Sequence, residues 1–303
     1  MSASPKYLLR KAVLASVPEI EITASEYDDL TAARIVLSYA LAIEEKYEIL
    51  ISNFLELEET LLHTALTDSV RDVRTYSEMF EVRSALNARL VNLLSAARLY
   101  LDQLPQDAKH CLPDGVDVKS LIQKQCSSEY DNHFEYRFME ALRNHVQHRG
   151  IPVHLTEYHS EWKSTDVDPY IEFSVRISAS RTDLEKAGKF TKKILDEMGE
   201  QVNLVVATRR YVESLSTIHD YTRKIIEDTV NSARTAIESA RRRYALVYSD
   251  SLTGLCASAS DETQEISSVS LMLDWDDVRI EQQERNRKLV NLSKRTVVSR
   301  TQA

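Results

Sequence analysis

The strongest structural signal lies in residues 25–62, which read SEYDDLTAARIVLSYALAIEEKYEILISNFLELEETLL. Neither glycine nor proline occurs between residues 19 and 104. Ser25 and Asp28 have the spacing of an N-terminal capping pair. Apolar residues then recur every three or four positions, as on one face of a helix. The segment therefore predicts a long amphipathic helix that begins after Ser25 and ends near Thr67.

Helical periodicity continues beyond this segment. A second long helix is predicted to end at Pro105, and shorter helices are predicted over about residues 117–126 and 130–149. Gly150 stands where a glycine commonly ends a helix. The chain has 303 residues but only 5 glycines and 6 prolines, which disfavours turn-rich sandwiches, barrels and glycine-rich nucleotide-binding folds. The two long helices are expected to pair antiparallel in a bundle.

The sequence pattern changes between residues 153 and 178. Apolar residues alternate with polar ones over 170–177, which is typical of a β-strand. We expect a β-hairpin with its loop at 163–169. Two interpretations stay open, a flap over the preceding helix end and a decorated connection.

A further long helix is predicted before Gly254, with Thr182 and Glu185 as a capping box for the helical region that follows the hairpin. Seven apolar residues within the long helix have heptad-like spacing, which is typical of a bundle core or of a dimer seam. They are Ile226, Val230, Ala233, Ile237, Ala240, Tyr244 and Val247.

These patterns together predict a mostly α protein, a helical bundle with long antiparallel helices and an inserted β-hairpin. Residues 1–150 form a helical region and residues 151–180 the hairpin insertion. Residues 181–250 supply one or more long helices that complete the bundle. Residues 251–303 are interpreted as a Ser/Thr-rich linker and a basic helical tail.

Composition excludes several classes of protein. The net charge of −9 argues against non-specific binding of nucleic acid by the whole protein surface, but it is compatible with a local basic cleft. Three scattered cysteines are too few for a disulfide framework or a zinc site. No apolar run reaches the roughly 18 residues that span a bilayer, and the N-terminal region lacks a secretory pattern. We therefore expect no membrane association and a cytoplasmic location.

Familiar catalytic motifs are absent from the sequence. It contains no GxxxxGK[ST], GxGxxG, GxSxG, HExxH or CxxC. This excludes the common motif-bearing ATPases, dehydrogenases, hydrolases and zinc enzymes. Since no cluster of acidic ligands is apparent either, we expect neither a metal nor a cofactor.

One cationic segment stands out in this acidic chain. Residues 143–150 read RNHVQHRG. Asn144 and His148 are four residues apart and share a helix face. An arginine such as Arg143 holds phosphate oxygens with a bidentate fork, and a histidine such as His148 gives or takes a proton near neutral pH. This combination suits phosphoryl chemistry.

The segment resembles the Rx4–6H motif of the HEPN superfamily, in its RNxxxH form. Arg143, Asn144 and His148 occupy the motif positions. An arginine five residues before a histidine is a common coincidence, and the adjacent asparagine makes the match more specific. The resemblance covers this motif and a compatible helical layout.

The resemblance implies a metal-independent endoribonuclease in which two copies of the motif face each other across a homodimer. The 2′-hydroxyl of RNA would attack the adjacent phosphate and leave a 2′,3′-cyclic phosphate. Arg143 would stabilise the developing charge, His148 would act as general acid or base, and Asn144 would position the pair or the ribose. Antiviral defence, abortive infection or a toxin-like stress response would be the setting, with a possible regulatory or defence-system partner protein.

One position departs from part of that family. Members silenced by a nucleotidyltransferase antitoxin carry a tyrosine two residues after the motif histidine, where this chain has Gly150. We therefore do not expect control by a modified tyrosine.

Three neighbouring side chains are further candidates for RNA contact: His145, Arg149 and Arg137. Two of them have a simpler interpretation: His145 suits a helix end packed on the hairpin, and Arg149 suits a solvated cation in a last helical turn. The alternative for the whole protein is a non-catalytic helical scaffold for protein interactions.

Overall fold

The computed structural model describes residues 5–12, 18–71, 75–164, 169–248, 251–261 and 265–298. It is mostly helical and carries two small antiparallel sheets, which confirms the predicted mostly α class. None of the helices in these ranges combines the length and the apolar character that crossing a bilayer requires.

The helices and strands have the following bounds. The helices are α1 (Ala24–Val70), α2 (Tyr76–Lys109), α3 (Val118–Asn132), α4 (Phe134–His148), α5 (Arg181–Ala187), α6 (Lys192–Glu197), α7 (Leu204–Tyr248) and α8 (Asp274–Arg285). The strands are β1 (Lys6–Lys11), β2 (Ile20–Ile22), β3 (Leu155–Lys163), β4 (Tyr170–Ser180), β5 (Gln201–Asn203), β6 (Leu255–Ser260) and β7 (Glu265–Ser270).

The chain forms two compact units, each assembled from three separate stretches. The first unit comprises residues 1–45, 103–122 and 221–287, and the second comprises residues 46–102, 123–220 and 288–303. These units do not coincide with the segments expected from the sequence. The helices α1, α2 and α7 each contribute residues to both units, which a division by local sequence pattern does not reveal.

A four-stranded antiparallel sheet belongs to the first unit, with strand order β2-β1-β6-β7. β1 and β6 pair from Lys6↔Ser260 to Lys11↔Leu255. The interpretation of residues 251–270 as a linker is therefore wrong. Small buried residues such as Ala257 and Ser258 let this central strand pack closely, and its serine content is not a sign of a loop.

The first unit also contains buried ion pairs, which we call the α8 arginine network. The Asp276 carboxylate has 0% exposure and accepts hydrogen bonds from Arg279 Nε and Arg234 Nη1, both at 2.6 Å. Arg234 Nη2 donates to Asp277 Oδ1 at 2.7 Å. The network ties α8 to α7, so the proposed C-terminal tail is in part a packed element.

Two helices, α2 and α8, end within the first unit at positions that differ from the sequence-based expectations. α2 continues through Pro105 to Lys109, because one missing backbone donor is outweighed by the burial of Leu104 and Ala108. α8 ends at Arg285, well before the expected end of the basic helical tail near residue 300.

Five of the seven heptad-spaced residues of α7 are buried within the single chain, namely Ile226, Val230, Ala233, Ile237 and Tyr244. Val247, at the end of the series, is exposed. The pattern therefore belongs mainly to the core of the first unit and is not needed as a dimer seam.

The second unit contains the predicted hairpin. β3 and β4 pair antiparallel from Leu155↔Ser178 to Lys163↔Tyr170, and β5 adds a third strand beside β4. Part of the expected loop, residues 165–168, lies outside the described residues. The expected cap at Thr182 is wrong, because Ser180 caps α5 by accepting a hydrogen bond from the Asp183 amide.

Candidate active site

α4 presents the cationic segment at its C-terminal end. The helix forms because Phe138, Met139 and Leu142 repeat at helical spacing and are buried in the second unit. The amides of Arg149 and Gly150 both donate to the His145 carbonyl, at 2.7 and 3.3 Å, and so end the helix. The expected helix end at this point is confirmed to within one residue.

The three motif residues lie on the open side of α4. Asn144 and His148 are exposed and Arg143 is half-buried. Arg143 Nη1 donates to Gln147 Oε1 at 2.7 Å, while its Nε is buried and meets no hydrogen-bond partner among the described residues. No described carboxylate forms an ion pair with Arg143 or His148. The motif side chains are thus available to an external ligand.

The spacing of the motif limits what one helix can do. At about 100° per residue, Arg143 and His148 point about 140° apart around the axis, whereas Asn144 and His148 share a face. The Arg143 guanidinium and the His148 imidazole therefore approach a ligand from two sides of α4.

A buried hydrogen bond lies next to the motif and was missed by the sequence analysis, which gave Glu140 no role. The Tyr211 hydroxyl, on α7, donates to Glu140 Oε1 at 2.5 Å. Burial and the Glu140 charge raise the pKa of Tyr211, and the nearby Arg143 charge opposes this shift. The only sequence signal was the position of Glu140, three residues before Arg143 on the same helix.

His145 is not placed to contact RNA, which corrects its assignment as a substrate-binding residue. Its side chain is 5% exposed and packs edge-on against the rings of Phe190 and His154, with centroids 5.9 and 6.4 Å away. Its Nδ1 is buried and has no hydrogen-bond partner among the described residues. The simpler interpretation, a packed residue at a helix end, describes it.

Burial of both histidines has an electrostatic consequence. Burial lowers the pKa of His145, and the nearby His154 and Arg149 lower it further. Burial also lowers the pKa of His154, although the Asp183 charge opposes this. His154 Nδ1 accepts a hydrogen bond from the Ser180 amide at 3.0 Å, which requires an unprotonated nitrogen there. The pair is therefore neutral in the folded protein near pH 7.

Arg137 is also engaged within the protein, which corrects its assignment as an RNA contact. Its Nη2 donates to Glu197 Oε2 at 2.7 Å, and its Nη1 donates to the carbonyls of Tyr130 and Asp131 at 2.6 and 3.0 Å. Arg149, by contrast, is exposed beside His148. Arg149 thus remains a candidate for RNA contact.

Gly150 has a steric role in this end of α4. A Cβ at this position would lie 3.2 Å from His145 Nε2. Since His145 is enclosed by Phe190 and His154, a larger residue would press on a side chain that has little room to move. Glycine lets the chain turn directly over the buried imidazole.

A cavity of the second unit lies away from the motif. Its volume is about 510 Å³, and residues of β3, β4, β5 and the start of α7 line it, among them His159, Arg176 and Asn203. Within the ranges that the structure describes, no three His, Cys, Asp or Glu side chains are grouped so that they could hold a metal ion. The motif is therefore an open surface site built from side chains.

Comparison of the chain with family models, with curated proteins and with solved structures gave no match.

Proposed function

We propose that the protein is a metal-independent HEPN-type endoribonuclease whose site is formed by Arg143, Asn144 and His148. The observation that carries the proposal is that these side chains are accessible and are not paired with a carboxylate of the described residues. They project from the open side of α4, and no carboxylate of the described residues is paired with Arg143 or His148. An arginine and a histidine left without such partners favour binding and proton transfer at a phosphate over a structural role.

The chemistry assigns one task to each residue. His148 removes the proton from a ribose 2′-hydroxyl, whose oxygen attacks the adjacent phosphorus. Arg143 stabilises the negative charge that develops on the phosphorane oxygens. Asn144, on the same face as His148, orients the ribose. The bond to the 5′-oxygen breaks as that oxygen receives a proton, leaving a 2′,3′-cyclic phosphate and a 5′-hydroxyl.

The proposal includes a homodimer that brings two α4 helices together. The base His148 has accepted a proton, and the leaving oxygen needs one from a second acid. The equivalent histidine of a second copy supplies that acid, and the angular separation of Arg143 and His148 on one helix is compatible with a site shared between two. RNA is the substrate, and antiviral defence or a toxin-like stress response is the proposed setting, with a regulatory partner that limits the activity.

RNA cleavage by the purified full-length chain tests the proposal. We expect cleavage in the presence of EDTA, products with 2′,3′-cyclic phosphate ends, and a loss of at least about 100-fold in His148→Ala. His145→Phe is the matched control, since this neighbouring histidine is buried, and it should cleave RNA. Light scattering should give the mass of a dimer. Absence of cleavage across varied RNAs by folded dimers would contradict the proposal.

The alternative function is a non-catalytic scaffold for protein interactions. One observation favours it: large apolar side chains are exposed in the second unit on either side of the α1–α2 connection. They include Leu62, Leu66, Val70, Tyr76 and Phe80. Exposed apolar side chains that gather into a patch are typical of an interaction surface. The same assay separates the two functions, because a scaffold gives no cleavage that depends on His148.

A further inference from the structure

A second cationic feature of the second unit is the segment 186–193, which reads KAGKFTKK. It carries four lysines and no acidic residue in a chain with a net charge of −9. All four lysine side chains, Lys186, Lys189, Lys192 and Lys193, are exposed. None of the described carboxylates forms an ion pair with them. We call residues 186–193 the lysine turn.

The lysine turn is held firmly against α4. Phe190, in its middle, is buried with its ring centroid 5.9 Å from that of His145 and 6.0 Å from that of Phe138. At the far end of α6, Glu197 forms an ion pair with Arg137 at 2.7 Å. The segment from Phe190 to Glu197 therefore packs along α4 between His145 and Arg137.

Arg137, which α6 contacts through Glu197, lies on the same side of α4 as Asn144 and His148, whereas Arg143 points to a different side. Positions 137, 141, 144 and 148 follow one another at steps of three or four residues and form one stripe along the helix. Arg137, at one end of this stripe, contacts α6, and Asn144 and His148 lie at the other end. Since Phe190 contacts His145, the lysine turn lies within about one helical turn of His148 and of the exposed Arg149.

The backbone of the turn has an unusual conformation at Lys189. Gly188 and Lys189 both have positive φ, 67° and 64°. Glycine adopts this conformation readily, whereas lysine does so seldom. The turn thus presents the Lys189 side chain from a conformation that a glycine would adopt at lower cost, while the buried Phe190 anchors the next position.

We infer that the lysine turn and Arg149 form a phosphate-binding track that leads single-stranded RNA to the motif on α4. The inference rests on the proposed function and extends it with the position of the substrate strand. Lysine ammonium groups contact the phosphates, which gives affinity without sequence preference. Since Phe190 is buried, it holds the turn in place and does not stack on bases.

The test measures RNA binding separately from cleavage. The full chain carries His148→Ala, which prevents cleavage, and binds a fluorescently labelled single-stranded RNA of about 20 nucleotides, monitored by anisotropy. The test variant adds Lys189→Gln, Lys192→Gln and Lys193→Gln. The control variant adds Lys109→Gln, Lys119→Gln and Lys124→Gln. These substitutions remove the same amount of charge from three exposed lysines outside the turn. Thermal unfolding confirms that both variants fold.

Relative to the parent chain with His148→Ala alone, we expect the test variant to bind at least about tenfold more weakly at 0.1 M salt and the control variant to bind about equally. The slope of log K against log salt should decrease in magnitude by about 2 in the test variant alone, since each lost phosphate contact contributes about 0.7. Equal binding by the two variants, or no RNA binding by the parent chain, would overturn the inference.

Cleavage measured with His148 restored distinguishes the two proposals. RNA that is bound through the lysine turn but not cut would contradict the nuclease and leave the track intact. RNA that is cut equally by the chains with and without the three turn substitutions would support the nuclease and remove the track.

Discussion

The arginines of the α8 arginine network in the first unit and Arg143 in the second unit occupy opposite electrostatic environments. In the α8 arginine network of the first unit, Arg279 and Arg234 both bind the buried Asp276 carboxylate. In the second unit, Arg143 contacts Gln147 and no described carboxylate. A buried arginine without a counter-charge is costly, so the first environment is typical of an arginine that serves the fold. The second suits an arginine whose anion arrives from outside.

The largest effect is expected from removing the central carboxylate of the first environment. Asp276→Ala leaves two arginines without their buried partner and should lower the free energy of unfolding by about 3–5 kcal/mol. Urea unfolding followed by circular dichroism measures this. Asp277→Ala is the control, since its carboxylate is 53% exposed and the loss should stay below about 1 kcal/mol. Equal losses would show that burial does not distinguish the two aspartates.

A smaller effect is expected beside the motif. Tyr211→Phe removes the buried hydroxyl that donates to Glu140, and hydrogen bonds to charged groups contribute about 1.5–3 kcal/mol. Chemical denaturation should show a loss in that range. Tyr130→Phe, on the exposed surface of α3, should be close to neutral. If the two variants had the same free energy of unfolding, Glu140 would have to be stabilised by other groups.

The buried histidines predict a dependence of stability on pH. The pKa values of His145 and His154 are lowered in the folded state. The unfolded chain therefore binds more protons than the folded chain as pH falls below about 6.5, the ordinary histidine pKa, and stability decreases in that direction. Thermal unfolding between pH 7 and pH 5 should show a shallower decrease in His145→Phe than in wild type. An identical slope in the two proteins would contradict the assignment.

The smallest effect on stability is expected at the motif itself. Arg143→Gln and His148→Ala should each change the free energy of unfolding by about 1 kcal/mol or less, although we expect both to abolish RNA cleavage. Arg279→Gln is the contrasting variant. It removes a charged partner of the buried Asp276 carboxylate, so its loss of stability should be larger. A loss at Arg143 as large as that at Arg279 would place Arg143 among the arginines that serve the fold.

Local features of the structure were predictable from the sequence because local interactions determine them. The helix α1, the end of α4 before Gly150 and the β3–β4 hairpin follow from periodicity and from the positions of glycine and proline. These predictions needed no knowledge of distant parts of the chain.

Long-range features were not predictable in the same way. The pairing of β1 with β6 joins Lys6 to Ser260, and nothing in the short, serine-rich β6 signals a buried central strand. The two roles open to His145 depend on Phe190 and His154, which reach it only in the folded chain. The hydrogen bond from Tyr211 to Glu140 also joins residues far apart in sequence.

The position of β3 at the edge of its sheet has a consequence for handling the protein. An unpaired strand edge is a template for adding another strand, and so for aggregation. β3 carries Glu157, Glu161 and Lys163 along this edge, while Trp162, 69% exposed, lies opposite Ile171 across the hairpin. The charged residues therefore oppose aggregation of a strand whose other face exposes a large apolar side chain. We expect these three side chains, which belong to neither the core nor the proposed site, to oppose strand addition at this edge.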